Sequence, residues 1–279
     1  MNKKLIFITL IVVILLGFYL YFQNNVLQVS SYNIVDSRIP KVFNDYKIIQ
    51  ISDFHNNDLK ILNSDLVEEV KDRHPNIIVI TGDLVDFRNT NLDVAIEFVK
   101  NIKGTAPIYY VSGNHEANID EYQLLKEMLE KEHVIILDNK VEVLEVDDSK
   151  INIIGVDDPN MSYHPTATDA DKVSSELITI NYDKTNFTIL LAHRPELLDV
   201  YVNNHIDLVL TGHTHGGQVR IPFIGGLVAP NQGLFPKYDS GKFQDDKTTM
   251  IVSRGIGNSI IPFRINNRPE LVEIVLNNK

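Results

Sequence analysis

The sequence predicts a mixed α/β fold: a four-layer α/β/β/α sandwich of two mixed sheets, preceded by one N-terminal transmembrane helix. Three observations support this prediction. Short apolar runs alternate with helix-like stretches in the first half, closely spaced β-like runs follow in the middle, and strands and turns dominate the last quarter. Two β-rich sets with helices outside them favour a layered sandwich over a single doubly wound sheet. With 279 residues and 44% hydrophobic content, the chain is long enough for one sizeable core.

The first element is an uncharged apolar segment over residues 5–22. As a helix it would extend about 27 Å at roughly 1.5 Å per residue, close to the thickness of the hydrocarbon core of a bilayer. Because no small-residue cleavage pattern follows it, we expect an uncleaved anchor instead of a secretory signal. The lysines within residues 1–4 favour a cytoplasmic N-terminus, and Tyr19 and Tyr21 suit the opposite membrane interface. The sequence thus predicts a single-pass protein of the cell membrane whose folded domain is extracytoplasmic.

A polar connection separates this anchor from the domain. Apart from a short extended run over 31–35, residues 23–44 carry no strong period, and we expect them to form a tether, partly packed on one domain that covers residues 45–279. Alternating apolar runs and amphipathic stretches then predict strands and helices in turn. The strands are expected at 46–52, 77–81 and 108–111, and the helices at 59–73, 92–102 and 121–131.

The middle of the chain changes character, because β-like runs at 134–137, 141–146 and 151–156 are close enough to form hairpins. Antiparallel pairing is therefore expected there. A polar stretch over 166–180 tolerates a helix. The later elements are predicted as strands at 187–192 and 207–211, a helix at 195–202, and β-like segments near 225–226, 250–253 and 271–276.

Composition excludes several classes of function. The chain has 26 basic and 37 acidic residues and a formal net charge of −11, which makes non-specific binding to nucleic acid unfavourable. It contains no cysteine, which excludes thiolate metal sites and a cysteine nucleophile.

Five polar blocks follow apolar, strand-like runs, so their side chains can converge at one edge of a sheet. The blocks are Asp53-Phe54-His55, Gly82-Asp83, Gly113-Asn114-His115-Glu116, Ala192-His193-Arg194 and Gly212-His213-Thr214-His215-Gly216-Gly217-Gln218. Each block alone is also compatible with an ordinary turn. Together they offer carboxylate, amide and imidazole ligands, and they predict a two-metal hydrolase site for Mn, Fe or Zn.

The first three blocks suggest distinct roles. Asp53 and His55 stand at positions i and i+2, so both would face one metal if the strand alternation continued. Asp83 follows a glycine that permits a sharp turn, and its carboxylate can bridge two cations. His115 cannot easily bind the same ion as its neighbour, and a free imidazole with a pKa near 6.5 suits a general acid. Asp86 either supports the site or caps a helix.

The last block is the strongest single signal, because a His-x-His pair is bracketed by glycines after an apolar run. His193 also follows a strand-like apolar run, and this shared context makes it a stronger candidate for a metal ligand. Four other histidines lack this context and are expected to be structural or on the surface: His74, His133, His164 and His205.

This series of motifs resembles the calcineurin-like metallophosphoesterase superfamily over residues 46 to about 275. Segments 212–218, 232–238 and 253–257 are similar to the membrane-associated bacterial YkuE/YaeI-type phosphodiesterase branch. The resemblance implies the metallophosphoesterase fold and two divalent metal ions. It places one metal on Asp53, His55, Asp83 and His215, and the other on Asp83, Asn114, His193 and His213. It also makes His115 the unligated histidine that assists the leaving group.

The expected function is that of a membrane-anchored, metal-dependent phosphoesterase. A hydroxide between the two metals would attack a phosphodiester or pyrophosphate, and His115 would protonate the leaving group. Arg194, Arg254 and Arg264 are candidates to bind the phosphate, although each is equally compatible with an ordinary ion pair. The anchor suggests a lipid- or envelope-linked substrate. Three alternatives stay open: a non-catalytic metal-binding module, a lipid-linked UDP-sugar pyrophosphatase, and a hydrolase of non-phosphate bonds.

Overall fold

A computed structural model describes residues 3–259 and 261–279 of the chain. Two six-stranded mixed sheets pack face to face, and helices cover the outer face of each sheet. The predicted α/β/β/α sandwich is confirmed.

The chain begins with helix α1 (Lys3–Asn25), which is longer at both ends than the predicted segment 5–22. Among the described residues it is the one helix whose length and composition would allow it to cross a membrane. Its large apolar side chains are exposed from Leu5 to Phe18 and again at Tyr21 and Phe22, because the rest of the domain does not cover them.

The predicted tether over 23–44 differs from the structure, because much of it belongs to the domain. Strand β1 (Gln28–Val35) pairs in parallel with the last strand of the chain, Glu270–Asn277, along its whole length. Ile39 and Phe43 are fully buried beyond it. The strand is polar and half-exposed, and backbone pairing holds it at the sheet edge, so the sequence indicated only the short extended run over 31–35 within it.

The first half of the domain alternates strands and helices close to the predicted bounds. Its elements are β2 (Tyr46–Ile51), α2 (Lys60–Asp72), β3 (Ile77–Thr81), α3 (Leu92–Ile102), β4 (Ile108–Val111), α4 (Tyr122–Lys131) and β5 (Val134–Ile136). The middle contains β6 (Lys140–Val146), β7 (Ser149–Gly155), α5 (Asp169–Thr179), β8 (Phe187–Leu191), α6 (Leu198–Asn203) and β9 (Leu208–Thr211). The last part contains β10 (Arg220–Ile221), β11 (Gly225–Gly226), β12 (Val228–Ala229), β13 (Gly233–Leu234), β14 (Gly241–Asp245), β15 (Thr248–Val252) and β16 (Glu270–Asn277).

The first sheet has the strand order β1-β16-β2-β3-β4-β5, and the second has the order β14-β15-β9-β8-β7-β6. Strands β2 to β5 run parallel, as do β7, β8, β9 and β15. Strands β6 and β7 form the expected hairpin. The expectation for 134–137 was wrong, because β5 pairs in parallel with β4 and the chain then crosses to the other sheet.

The central strands are buried on both faces, which explains their continuous apolar sequences. Ile48 and Val79 of the first sheet pack against Ile189 and Leu210 of the second. The opposite face of the first sheet packs under α2, α3 and α4, and that of the second sheet packs under α5 and α6. The carboxyl ends of the parallel strands therefore emerge at the edges where the polar blocks begin.

Candidate metal centre

The five polar blocks meet where β2, β3, β4, β8 and β9 end. Backbone bonds join neighbouring loops, with the Asp53 N–H donating to the Gly82 oxygen at 3.0 Å. The buried side chain of Gln50 joins the two sheets, because its Nε2 donates to the Thr211 carbonyl at 2.8 Å. The loops of both sheets thus form one cluster of polar groups.

Five of the predicted site residues have left-handed backbone conformations, which store strain at functional sites. The φ angles are 51° at Asp53, 50° at His55, 53° at Asp83, 72° at His213 and 48° at His215. The Asp-x-His and His-x-His pairs therefore lie beyond the strands. The expected strand alternation does not explain why both members of each pair reach the cluster, since the sharp turns of the backbone direct them there.

One group of side chains consists of Asp53, His55, Asp83 and His215, whose ligand atoms all lie within 4.8 Å of one another. The two histidine Nε2 atoms are 3.0 Å apart. The His55 Nε2 lies 3.6 Å from the Asp83 Oδ2, and the His215 Nε2 lies 3.4 Å from the Asp53 Oδ1. These four buried residues are the set that the sequence predicted for one metal.

A second group consists of Asp83, His193 and His213, again within 4.8 Å. The His193 Nε2 lies 3.2 Å from the Asp83 Oδ2 and 3.2 Å from the His213 Nδ1. It also lies 3.2 Å from the Asn114 Oδ1, so the amide predicted as a ligand belongs to the same group. The Asp83 Oδ2 therefore stands between the two groups, as a bridging ligand would.

The pKa values of the histidines favour the binding of a cation in each of the two groups. Burial lowers the pKa of His55 to about 3 and also lowers the pKa values of His213 and His215, which keeps these imidazoles neutral and able to bind a cation. Burial lowers the pKa of His193 as well, but attraction to Asp83 outweighs it and raises that pKa to about 10. A proton on His193 would thus balance the carboxylate when no cation does.

Further atoms fit a metal-binding role. The His193 Nδ1 lies 2.8 Å from the Thr81 carbonyl, which fixes that nitrogen as the donor and leaves Nε2 for a ligand. Burial raises the pKa of Asp53 to about 6, so a nearby cation would favour its charged form. For Asp83, attraction to His193 and His115 outweighs the effect of burial and lowers the pKa. The donor set of nitrogen and oxygen atoms fits Mn, Fe or Zn.

His115 lies beside both groups. Its Nε2 is 3.9 Å from the Asp83 Oδ2, and its Nδ1 is 3.4 Å from the Asp86 Oδ1 and accepts the Phe87 N–H at 3.2 Å. Burial lowers its pKa. Asp86 therefore supports His115, and the cap of α3 is Asn91 instead.

The predicted phosphate-binding arginines are held by other groups of the protein. Arg194 makes a bidentate pair with Asp158, at 2.6 Å and 2.8 Å, and both residues are buried. Arg264 is fully buried and donates to the carbonyls of Arg254 and Gly257. This geometry disfavours a substrate role for Arg194 and Arg264, because their guanidinium groups already bind carboxylate or carbonyl oxygens.

The third arginine is more accessible. The Arg254 Nε lies 3.7 Å from the Glu270 Oε1, and Nη1 donates to the Gln28 Oε1 at 3.4 Å. These two contacts are long, but they direct the side chain toward the strands of the first sheet. A phosphate-binding role for Arg254 therefore has no support from the distances either.

Sequence reasoning gave no role to Glu116. Its carboxylate is fully buried and accepts three backbone N–H groups: Asp83 at 2.9 Å and Gly113 at 2.7 Å on Oε2, and Val85 at 3.1 Å on Oε1. Gly113 permits this contact, because a Cβ there would lie 2.2 Å from the Asp83 Oδ1. The only signal in the sequence was the place of Glu116 within a polar block. The four histidines outside the blocks are exposed, as expected.

Comparison with known proteins agrees with this geometry. The family model described as calcineurin-like phosphoesterase matches residues 46–217. The chain is 27% identical to the uncharacterized metallophosphoesterase YkuE of Bacillus subtilis, over 93% of this chain and 89% of the relative. It is 29% identical to an uncharacterized metallophosphoesterase of Aquifex aeolicus, over 96% and 98% of the two chains. It is 26% identical to the phosphodiesterase YaeI of Escherichia coli, over 83% and 82%.

Among solved structures, the chain resembles TT1561 of Thermus thermophilus with a TM-score of 0.51 and 15% sequence identity. The match covers 76% of this chain and 90% of the other. At this level of identity, the likeness concerns the fold alone.

Proposed function

Because the chain belongs to the calcineurin-like phosphoesterase family and is thus a hydrolase of phosphoric esters, we propose that it is a membrane-anchored phosphodiesterase with two divalent metal ions. One observation carries the proposal. The Asp83 Oδ2 lies between two groups of buried ligand atoms, at 3.6 Å from His55 in one group and 3.2 Å from His193 in the other. A single carboxylate in that place can join two cations.

The two cations would be held by different histidines. The first would be held by Asp53, His55, Asp83 and His215, and the second by Asp83, Asn114, His193 and His213. When bound, a pair of divalent cations supplies an activated water as the nucleophile and neutralises charge on the phosphoryl oxygens. The protein orients these ligands through buried groups, which include the Thr81 carbonyl behind His193 and the carboxylate of Glu116 behind Asp83.

His115 is proposed as the general acid. Its Nε2 faces the cluster, and Nδ1 accepts the Phe87 N–H, so Nε2 is the nitrogen that carries the proton of the neutral ring. Burial lowers the pKa of His115, and attraction to Asp83 and Asp86 opposes that effect. A proton on Nε2 can pass to the departing alkoxide, which would otherwise leave as a strong base. The contribution of His115 should therefore grow as the leaving group becomes more basic.

The proposed substrate is a phosphodiester or a pyrophosphate at the surface of a membrane. The name of the relative YaeI supports a diester, and α1 supports a substrate that is lipid- or envelope-linked. We propose further that the catalytic domain is extracytoplasmic, since lysines precede α1 and tyrosines lie at its other end. A lipid-linked UDP-sugar pyrophosphate is the alternative substrate of the same site.

The test uses the full chain in detergent micelles, with bis(4-nitrophenyl) phosphate, 4-nitrophenyl phosphate, a dialkyl phosphodiester and a UDP-sugar lipid. We expect diester hydrolysis that a chelator abolishes and Mn²⁺ restores. Asp83→Asn should lose at least about a hundredfold in kcat/KM, since one carboxylate serves both cations. His115→Ala should lose about a hundredfold or more with an alkoxide leaving group, and less with 4-nitrophenolate. The control is His164→Ala, which changes an exposed histidine.

Two outcomes would contradict the proposal. Absence of phosphoester cleavage with Mn²⁺, Fe²⁺ and Zn²⁺ would favour a non-catalytic metal-binding module, and preference for the UDP-sugar lipid would favour the pyrophosphatase. Topology is tested separately, because the chain has no cysteine. A Tyr163→Cys variant in intact cells should react with a membrane-impermeant maleimide, since Tyr163 is exposed. Labelling only after lysis would contradict an extracytoplasmic domain.

A further inference from the structure

Three apolar side chains are exposed near the point where α1 joins the domain. Phe223 and Ile224 lie in the turn of the β10–β11 ribbon, and Phe263 lies in the segment before β16. Phe223 is fully exposed, so it gains nothing from packing within the protein. We name these three residues the apolar rim. Exposed apolar groups that lie close together typically mark a surface that another body covers.

The end of α1 is firmly joined to the segment 264–267. The Asn24 Oδ1 accepts the Arg264 N–H at 2.7 Å, and the Gln23 Oε1 accepts the Asn267 N–H at 2.9 Å. The Tyr19 hydroxyl donates to the Asn266 Oδ1 at 2.7 Å. Hydrogen bonds from three residues in the last two turns of the helix therefore fix its direction relative to this segment, and Phe263 immediately precedes the segment.

The β10–β11 ribbon is joined to the same segment. The Arg220 N–H donates to the Ile265 carbonyl at 2.9 Å, and the Asn266 Nδ2 donates to the Arg220 carbonyl at 3.1 Å. Phe223 follows Arg220 by three residues, which at most span about 10 Å. The apolar rim and the end of α1 are thus neighbours through one rigid set of contacts.

The position of Tyr19 along α1 and that of Arg268 beside Phe22 indicate where the apolar rim would lie relative to a membrane. Tyr19 precedes Gln23 by four residues, so its Cα lies about 6 Å deeper along the helix axis, and its hydroxyl still contacts the domain at Asn266. Tyrosine is enriched where the hydrocarbon meets the headgroups. The guanidinium of Arg268 lies 5.0 Å from the centre of the Phe22 ring, in a position suited to lipid phosphates. With α1 in a bilayer, as proposed above, the base of the ribbon would lie at the level of the headgroups.

We propose that Phe223, Ile224 and Phe263 insert into the leaflet through which α1 enters the domain, as a second contact with the bilayer. The inference rests on the anchoring of α1 in the proposed function. The occupant is a bilayer, because the segment 264–267 that holds the end of the apolar helix α1 also follows Phe263 and holds the base of the ribbon.

This contact sets the position of the metal ligands relative to the membrane. The Asn267 side chain donates to the His215 carbonyl at 2.7 Å and to the Gln218 carbonyl at 3.1 Å. Asn267 therefore contacts both Gln23 at the end of α1 and His215, a proposed metal ligand. The site is held close to the headgroups, and the favoured substrate is a phosphoester in the headgroup of a lipid.

The chain contains no tryptophan, which gives a clean optical test. The full chain is reconstituted into phosphatidylcholine vesicles as the Phe223→Trp variant, with Tyr163→Trp as the control at an exposed residue far from α1 in the sequence. We expect lipids brominated at carbons 6 and 7 to quench the indole of Phe223→Trp at least twofold more than that of the control. Acrylamide should quench it less than the control.

The outcomes distinguish a failure of the α1 anchor from a failure of the apolar rim. If the wild-type chain does not float with vesicles in a density gradient at alkaline pH, the anchoring and this inference are both overturned. If it floats but the two indoles respond alike to brominated lipid and acrylamide, the inserted apolar rim is overturned and the anchor remains. A Phe223→Asp variant should keep its turnover of soluble bis(4-nitrophenyl) phosphate and lose severalfold in turnover of a vesicle-borne aryl phosphodiester. If Phe223→Asp turns over both substrates as fast as the wild-type chain does, the inference is also overturned.

Discussion

Replacement of Glu116 tests whether one buried carboxylate holds the loops of β3 and β4 together. Its two oxygens accept N–H groups of Asp83, Gly113 and Val85 at 2.7–3.1 Å, and all of these groups are buried. Burial and repulsion by Asp83 raise the pKa of Glu116 to about 7. The three N–H donors, together with cations nearby, would favour its charged form.

The structure gives an order of magnitude for two variants. In Glu116→Gln the amide oxygen can still accept from Asp83 and Gly113, but the new NH₂ group faces the Val85 N–H. The loss of one buried hydrogen bond costs about 1–3 kcal/mol. In Glu116→Ala three N–H groups lose their acceptor, which costs roughly 3–6 kcal/mol after relaxation. For a chain of this size, each kcal/mol lowers the melting temperature by about 2–4 °C.

The assay is thermal unfolding of the full chain in detergent, followed by far-UV circular dichroism with chelator and with Mn²⁺. We expect Glu116→Gln to melt a few degrees lower and Glu116→Ala about 10 °C lower or more. Glu116→Ala should bind Mn²⁺ about 10–100-fold more weakly, because Asp83 loses its support, and Glu116→Gln should lose less affinity, because its oxygen still accepts from Asp83. The control is Glu130→Gln on the exposed face of α4. Equal melting temperatures for the control and Glu116→Ala would refute the reasoning.

Three further predictions concern other buried groups. Burial raises the pKa of Asp157 to about 8, so the folded state holds this proton more tightly than the unfolded state. The free energy of unfolding should therefore fall as pH rises from about 4 to 8, by up to roughly 1.4 kcal/mol per pH unit. Thermal melts at a series of pH values should show that Asp157→Asn removes this slope. Arg194→Ala leaves Asp158 buried without its partner and should cost about 3–5 kcal/mol in thermal melts, with KM unchanged for the folded enzyme. Asn267→Ala removes the support of the His215 loop and should weaken Mn²⁺ binding about tenfold in calorimetry.

Each of these predictions has a defined failure. A pH slope that persists in Asp157→Asn would assign it to another group. A raised KM at normal stability for Arg194→Ala would restore its predicted role with phosphate. Wild-type affinity for Mn²⁺ in Asn267→Ala would show that the loop holds its shape without this side chain.

Much of the site was predictable, because its residues follow apolar runs that can only be buried strands. Ile77–Thr81 and Leu208–Thr211 are uniformly buried, and apart from the last threonine each is apolar, before Asp83 and His213. The continuous burial of central strands also indicated the layers of the fold. Geometry at the ends of these strands was not predictable, because left-handed turns depend on contacts between loops of different sheets.

The remaining differences have the same physical origin, since they depend on partners distant in sequence. Strand β1 is polar, and only its pairing with β16 defines it. A run as short as β5 contains no information about which sheet it joins. The pairing of Arg194 with Asp158 likewise required the fold, because 36 residues separate the two. Periodicity therefore predicted elements and the polar blocks that meet at their ends, and it missed the buried bonds that support them.

The central claim is that Asp83 joins two cations, and anomalous diffraction measures this most directly. Crystals of the full chain loaded with Mn²⁺ would be measured on both sides of the Mn absorption edge. We predict two anomalous peaks about 3.5–4 Å apart, one beside His55 and His215 and the other beside His193 and His213, with the Asp83 carboxylate between them. A single peak, or peaks that do not contact Asp83, would contradict the account.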